Sequence, residues 1–88
     1  WSIKNYNFVH RYLIISLISL IMAKIQLNGK KVVIKSKYSI LDLLKKYNLD
    51  KKKIAVEHNG VIVPKIFFKK KYLKNNDKLE IVHFIGGG

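Results

Sequence analysis

The chain has 88 residues, no cysteine and a formal net charge of +13 at pH 7. A chain of this length forms one domain with a small core, and the lack of cysteine excludes disulfides, thiolate nucleophiles and cysteine-ligated zinc. The three histidines, His10, His58 and His83, are too scattered in the sequence to predict a metal site.

The positive charge is almost entirely lysine, and Arg11 is the only arginine. Base readout and bidentate phosphate contacts usually involve arginine, and a chain rich in lysine, isoleucine and asparagine is typical of A/T-rich codons. We therefore interpret the lysine runs at 51–53 and 69–71 as solvated surface. No nucleic-acid partner is expected, and a basic RNA-binding module remains the alternative.

Residues 1–21 combine a basic beginning with a short apolar stretch at 13–21. A membrane-spanning helix needs about 20 apolar residues, so this stretch is too short, although its pattern resembles a secretory signal. Met22 is the only methionine and directly precedes the first segment with a clear folding pattern. We expect 1–21 to be translated upstream sequence, with a targeting or membrane-surface segment as the alternative, and we expect no membrane contact from 22–88.

Two hairpins are predicted, each about an Asn-Gly pair. Asn28-Gly29 separates two runs of alternating apolar residues, and Asn59-Gly60 separates a second, shorter pair of runs. Both residue types tolerate the positive φ that a type I′ turn requires. Pro64 ends the second hairpin, because proline has no N–H to donate to a strand ladder.

Between the hairpins, "SILDLLKKYNL" (39–49) predicts one amphipathic helix of about ten residues. Ser39 and Asp42 approximate a capping box, and Asn48 can take the left-handed position that closes a helix. The apolar stripe consists of Ile40, Leu43, Leu44 and Tyr47.

The segment "KIFFKKKYLKNND" (65–77) has no clean period. We expect its apolar residues to anchor a short helical turn or loop to the edge of the core. These residues are Ile66, Phe67, Phe68, Tyr72 and Leu73.

The segment "KLEIVHFI" (78–85) predicts a strand that is apolar on both faces, as a central strand is. One face has Leu79, Ile81, His83 and Ile85, and the other has Glu80, Val82 and Phe84. The order of hairpin, helix, short strands and central last strand predicts an α+β domain over 22–85. It is the β-grasp (ubiquitin-like) fold, a mixed sheet of four to five strands with one main helix packed on one face. The last strand is expected beside the first and parallel to it.

Three glycines, Gly86, Gly87 and Gly88, follow the last strand. Glycine loses the most backbone entropy on folding, so we predict a flexible tail over 86–88. No two carboxylates are spaced for acid–base chemistry, which leaves the terminal carboxylate of Gly88 as the distinctive reactive group. A thread without side chains can enter a narrow channel of an enzyme that activates this carboxylate with ATP; a frayed terminus is the alternative.

Two blocks, "AVEHNGVIVP" (55–64) and "NDKLEIVHFIGGG" (76–88), resemble the sulfur-carrier proteins of thiamine biosynthesis, the ThiS family of ubiquitin-like β-grasp proteins. The similarity runs from about Met22 to Gly88 and leaves 1–21 unmatched. Three positions depart from the family pattern: Lys65 is often arginine, Phe68 is often tryptophan, and the Asn76-Asp77 turn is often Gly-Asp. These departures leave the partner surface open.

The resemblance implies a carrier protein rather than an enzyme, with no catalytic residue, no metal and no bound cofactor. An adenylyltransferase related to the ubiquitin-activating enzymes would use ATP to adenylate Gly88. Sulfur from a cysteine desulfurase would convert the adenylate to a thiocarboxylate, and thiazole synthase would receive that sulfur. The compartment would be a bacterial cytoplasm or a plastid stroma. The tail and partner-binding residues would be Gly87, Gly86, Ile85, Phe84 and Val82.

One rival carrier and one local question stay open. The small subunit of molybdopterin synthase has the same fold and a diglycine end, but its tail commonly has prolines before the glycines, and "VHFIGGG" has none. Val82 and Phe84 either form an exposed apolar patch where a partner docks or pack under the loop at 65–74.

Overall fold

The computed structural model describes residues 3–84, without the side chains of 3–9 and of Ser19. Two short 3₁₀ turns, Lys51–Lys53 and Lys65–Phe67, lie between the main elements. Those elements are helix α1 (Ile3–Ile21), strands β1 (Met22–Leu27) and β2 (Lys30–Lys35), helix α2 (Ile40–Lys46), and strands β3 (Ile54–His58), β4 (Val61–Ile62) and β5 (Lys78–His83).

The five strands form one mixed sheet in the order β2-β1-β5-β3-β4. Strand β5 lies in the centre, parallel to β1 and antiparallel to β3. Helix α2 is part of the long connection between the parallel strands, as parallel pairing requires. The predicted β-grasp arrangement, with its last strand in the middle, is confirmed.

Both predicted Asn-Gly turns are present. Asn28 and Gly29 have φ values of 49° and 83°, and Asn59 and Gly60 have values of 51° and 84°. Two consecutive residues with positive φ are the mark of a type I′ turn, whose twist matches that of the strands it joins. A Cβ on either glycine would meet nothing within 4 Å, so the backbone conformation, rather than crowding, favours glycine there.

Helix α2 begins at the predicted capping box. The Ser39 hydroxyl accepts from the Asp42 N–H, and the Asp42 carboxylate accepts from the Ser39 N–H, both at 3.0 Å. The helix is shorter than predicted, because Tyr47 is already its cap and Asn48 takes a positive φ of 55°. Tyr47 is therefore 41% exposed, and its predicted place in the apolar stripe is wrong. The buried stripe consists of Ile40, Leu43 and Leu44.

The core lies between α2 and one face of the sheet. It is closed at one edge by the 65–77 segment, in which Phe68 and Leu73 are 1% and 2% exposed. Their main chain is bonded to the start of α2 and to the segment before it: Leu41 donates its N–H to Phe68 O at 3.0 Å, and Leu73 donates its N–H to Tyr38 O at 2.7 Å. The other three predicted anchors are exposed, so that part of the prediction is wrong: Ile66, Phe67 and Tyr72.

Helix α1 leads directly into β1, and its described apolar side chains, from Tyr12 to Ile21, are exposed. No secondary structure was predicted for this segment. Its end is fixed by Ser36, which donates its N–H to Ile21 O and its hydroxyl to Leu20 O, each at 2.9 Å. Within residues 3–84, no helix is long and apolar enough to cross a membrane. The origin of 1–21 as upstream sequence stays a prediction.

Candidate functional site

The last strand and the residue after it are held by main-chain hydrogen bonds. Strand β5 pairs with β1 only at Lys78 and Leu79 and with β3 from Leu79 to His83, so β3 alone holds its exit end by strand pairing. Just beyond it, Phe84 donates its N–H to Lys53 O at 2.8 Å. The main chain is thus anchored through residue 84. The predicted tail and modification residues, 85–88, lie outside the described residues.

The side chains of β5 divide between a covered and an open face of the sheet. Leu79 and Ile81 are buried against the core, whereas the alternate residue Val82 is 60% exposed. Phe84 is 55% exposed, so both apolar residues lie in solvent and not under the 65–74 loop. His83, expected with the covered set, is exposed because it is the last residue of the strand. The exposed pair lies at the end of β5, and its role in partner binding stays a prediction.

A group of lysines, which we term the basic collar, lies where the chain leaves β5. It comprises Lys65 and the 3₁₀ turn Lys51–Lys53. The Lys65 ammonium lies 5.4 Å from the centroid of the Phe84 ring, within the range of a cation–π contact. It also donates to Lys52 O at 3.3 Å. Phe84 thus meets the basic collar through the Lys65 ammonium and through its main-chain bond to Lys53 O.

Two glutamates, which we term the acidic pair, lie on the open face beside Val82. Glu57 of β3 is directly opposite Glu80 of β5, and Ile62 of β4 is directly opposite Glu57. Within residues 3–84 neither carboxylate has a hydrogen bond or an ion pair. Both line a groove of about 400 Å³ that also has Lys78 along its wall. Like charges directly opposite each other on neighbouring strands repel, so the acidic pair opposes folding.

The sequence did not reveal the acidic pair. Glu57 and Glu80 are 23 positions apart, and their contact depends on the β3–β5 register across a long connection. Within each strand, the alternation places the glutamate on the face away from the buried apolar residues. That pattern predicts that Glu57 and Glu80 share the open face, but it does not predict that they are cross-strand neighbours.

The remaining carboxylates serve the fold. Asp77 accepts from Asn59 Nδ2 at 3.0 Å and from Lys74 N at 2.8 Å, and its Oδ2 lies 2.7 Å from His58 Nε2. Burial raises the pKa of Asp77, but the hydrogen bonds from Asn59, His58 and Lys74 outweigh burial and hold that pKa below its ordinary value. This cluster joins the second Asn-Gly turn to the beginning of β5.

Asp42 and Asp50 cap helical turns. Hydrogen bonds from the Ser39 main chain and hydroxyl lower the pKa of Asp42, and Asp50 accepts from Lys52 N at 2.9 Å. Among the residues that the structure describes, no cluster of three or more His, Asp or Glu could hold a metal ion. The arrangement in residues 3–84 is suited to presenting a chain end, with an exposed patch beside it.

Comparison with known proteins gives three findings. Residues 20–88 match the model of the ThiS family. The sulfur carrier protein ThiS of Bacillus subtilis is 45% identical over 65 residues, which is 73% of this chain and 98% of that protein. A crystal structure of the thiamine biosynthesis protein (ThiS) from Geobacter metallireducens has a TM-score of 0.65 at 25% identity, covering 74% of this chain and 99% of that one.

A longer relative also contains the same region. The thiazole synthase of Paramagnetospirillum magneticum is 40% identical over 65 residues, which is 74% of this chain but only 20% of that protein. The chain thus spans about a fifth of the length of this relative. The family model covers most of the chain, from the end of α1 onward, and the full-length match to the bacterial carrier agrees with it. The chain belongs to the ThiS family.

Proposed function

We propose that the chain is the sulfur carrier protein of thiazole formation in thiamine biosynthesis. It is a protein substrate for other enzymes rather than an enzyme. The observation that carries this proposal is the match of residues 20–88 to the ThiS family, together with 45% identity to a sulfur carrier over nearly that protein's whole length. The open patch beside the end of β5 supports the proposal, because a carrier has to be recognised close to its reactive end.

The chemistry takes place on the Gly88 carboxylate. A carboxylate is a poor electrophile, so an oxygen of Gly88 first attacks the α-phosphorus of ATP in the active site of an adenylyltransferase. The new O–P bond forms as pyrophosphate leaves. Sulfur then attacks the acyl carbon of this mixed anhydride, and AMP leaves with the bonding electron pair.

The sulfur donor decides whether a reductant is needed. Hydrosulfide gives the thiocarboxylate directly, with loss of one proton. A persulfide supplied through a cysteine desulfurase gives an acyl disulfide, and a thiol then reduces its S–S bond to release the thiocarboxylate. ATP belongs to the activating enzyme in this scheme, and the carrier itself holds no cofactor.

The body contributes a firm base for the tail. Strand β5 is paired with β3 as far as His83, and the Phe84 N–H bond to Lys53 O extends this anchoring beyond the strand. The three glycines after Ile85 present no side chain to a narrow channel. Thiazole synthase is the acceptor in this proposal, supported by the relative in which a similar region is part of a chain of that name. The bacterial cytoplasm or plastid stroma stays a prediction.

Intact-mass spectrometry tests the proposal. The full chain is incubated with a ThiS-type adenylyltransferase, ATP and sulfide, and the mass is expected to rise by the difference between a sulfur and an oxygen atom. Deletion of Gly88, or addition of one residue after it, is expected to abolish the change while the circular dichroism spectrum is retained. An unchanged mass for the wild-type chain, with an active enzyme confirmed on its own carrier, contradicts the proposal.

Transfer of the sulfur is the second part of the test. The thiocarboxylate form is mixed with thiazole synthase and its small-molecule substrates, and the carrier mass is expected to return to that of the carboxylate as thiazole forms. The large subunit of molybdopterin synthase with its own substrate is the comparison. Sulfur loss to that subunit and none to thiazole synthase would assign the chain to the rival carrier class.

A further inference from the structure

Helix α1 has a segment that is apolar on every side and that nothing in residues 3–84 covers. Its large apolar side chains between positions 12 and 21 are 49% to 72% exposed. An α-helix turns about 100° per residue, so these side chains are spread around the whole circumference. They are Tyr12, Leu13, Ile14, Ile15, Leu17, Ile18, Leu20 and Ile21. A helix that is apolar all round is normally buried in a protein core or in a membrane.

The charged side chains around α1 are all basic. Every Asp and Glu of the sequence lies at position 42 or later. The charged residues before that position are Lys4, Arg11, Lys24, Lys30, Lys31, Lys35 and Lys37. A second copy of the chain would bring the same positive charge to the helix and would be repelled, whereas anionic lipid headgroups would be attracted. Charge therefore favours an anionic bilayer over a second copy as the cover of α1.

Three of these lysines, which we term the lysine face, lie on the first hairpin beside the helix. Alternate residues of a strand share a face, and the β1–β2 register places Lys24, Lys31 and Lys35 on the open face of the sheet. Val33 is directly opposite Lys24 and is 46% exposed. It lines a crevice of about 430 Å³ together with two isoleucines of α1. The apolar surface of the helix thus continues onto the lysine face.

Helix α1 and the tail leave the body at opposite ends. Strand β1 runs parallel to β5, with Gln26 opposite Lys78. Met22, where α1 joins the sheet, is four residues before that pair, and Phe84 is six residues after it. At about 3.3 Å per residue, the two points are roughly 30 Å apart along the sheet. A bilayer at α1 would therefore leave the tail exit away from the lipid.

We propose that α1 and the lysine face bind the surface of an anionic lipid bilayer. Residues 12–21 measure about 15 Å as a helix, half of the roughly 30 Å hydrocarbon core, so they enter one leaflet. The exposed Arg11 before them and the lysine face after them stay with the headgroups, as long basic side chains do at a membrane surface. The inference favours the membrane-surface alternative for 1–21 and is independent of the proposed function. The expected absence of membrane contact from 22–88 then applies to the acyl region and not to the headgroups.

Co-sedimentation with vesicles tests the inference. The full chain is mixed with sucrose-loaded vesicles of phosphatidylcholine alone, or of phosphatidylcholine and phosphatidylglycerol in equal parts, at low and at high salt. The partition coefficient is expected to be at least about tenfold higher for the anionic vesicles at low salt. This preference should shrink at high salt, because exposed charges are screened.

A leucine variant measures the apolar contribution. Leu13→Gln/Leu17→Gln/Leu20→Gln makes one side of α1 polar, on the side away from the crevice with Val33. Its partition coefficient for the anionic vesicles should fall at least about tenfold, because binding scales with the apolar area that enters the bilayer. All three leucines are exposed and glutamine is a good helix former, so the melting temperature should stay close to that of wild type.

A lysine-face variant measures the electrostatic contribution. Lys24→Gln/Lys31→Gln/Lys35→Gln should bind the anionic vesicles at least about tenfold more weakly and lose most of the preference for them. Replacement of the three lysines at 51–53 by glutamine is the matched control, because it changes the net charge by the same amount. These lysines lie beside Phe84 at the tail exit, beyond the Debye length of about 10 Å from α1. The partition coefficient of the control should stay within about twofold of wild type.

Wild type that stays in the supernatant with anionic vesicles at low salt overturns the inference. So does a folded leucine variant that binds them as tightly as wild type, because charge alone would then account for binding. Equal losses for the 51–53 control and the lysine-face variant also overturn it, since net charge and not this face would set the affinity. Sedimentation equilibrium covers the rival cover of the helix: a wild-type dimer that the leucine variant disperses, without vesicle binding, would show that a second copy packs on α1.

Discussion

The two faces of the central strand differ in what they contribute. On the covered face, Leu79 and Ile81 are buried with the apolar residues of α2. On the open face, one residue away in each case, Glu80 and Val82 lie in solvent beside an unneutralised Glu57. Because the side chains of a strand alternate, one short sequence gives one face that packs in the core and one face that is open to solvent. Substitutions on the covered face should therefore lower the free energy of unfolding, and substitutions on the open face should change it little or raise it.

The largest contrast is expected between two phenylalanines. Phe68 is 1% exposed in the core, and Phe84 is 55% exposed at the tail exit. Phe68→Ala should lower the free energy of unfolding by about 3–5 kcal/mol, because it leaves a cavity. Phe84→Ala should change it by no more than about 1 kcal/mol, since it removes mainly surface and one cation–π contact. Urea denaturation followed by circular dichroism measures both values.

Phe68→Leu provides a milder control in case the alanine variant does not fold. It keeps most of the apolar volume and should be destabilised less than Phe68→Ala. Equal losses for Phe68→Ala and Phe84→Ala would mean that Phe84 packs as a core residue, and the distinction between the two faces would not hold at the end of β5.

Asp77 is expected to have the next largest effect, with a dependence on pH. Asn59 Nδ2 donates to one carboxylate oxygen of Asp77, and Lys74 N donates to the other. The asparagine of Asp77→Asn has only one side-chain oxygen, so one of these two donors loses its acceptor. The free energy of unfolding should fall by about 1–3 kcal/mol at pH 7. Because the folded pKa of Asp77 is lowered, its contribution is present above the unfolded pKa, near 3.9, and is lost as the pH falls towards the folded pKa.

Urea denaturation at a series of pH values checks this sign. The difference between wild type and Asp77→Asn should shrink as the pH falls below about 5. The pKa of Asp42 is also lowered. Its contribution to the pH dependence of unfolding is the same in both proteins, so it cancels in the difference between them. A difference that grows on acidification would show that the folded pKa of Asp77 is raised.

The features that the sequence predicted are those that short segments determine. The two Asn-Gly turns and the capping box of Ser39 and Asp42 each depend on a few neighbouring residues, and all three are present. The parallel placement of β5 followed from the order of elements and from crossover rules. The fold could therefore be derived before any register was known.

The features that the sequence missed depend on tertiary context. Tyr47 fits the apolar period, but the helix ends before it because Asn48 turns left-handed. Of the five apolar residues at 65–77, the core accommodates two, Phe68 and Leu73. The acidic pair depends on the β3–β5 register. Periodicity gives the face of a residue and not its partner across the sheet.

The capping box should contribute less than Asp77. Ser39→Ala removes the acceptor of the Asp42 N–H at the start of a helix of seven residues. The expected loss is about 1 kcal/mol in the free energy of unfolding. Ser39→Asp is the rescue control, because aspartate also caps helices well. A loss for Ser39→Asp as large as that for Ser39→Ala would mean that the small hydroxyl is required for packing and not for the cap.

The smallest expected effect is a gain on the open face. Glu80→Gln removes the repulsion with Glu57, so the free energy of unfolding should rise by about 0.2–1 kcal/mol. Urea denaturation at low and high salt measures it, and the gain should shrink at high salt because exposed charges are screened. The double variant Glu57→Gln/Glu80→Gln should gain no more than Glu80→Gln alone, since one neutralisation already ends the repulsion. A loss of stability would mean that Glu80 supports the fold, and the contrast between the two faces would then fail at the acidic pair itself.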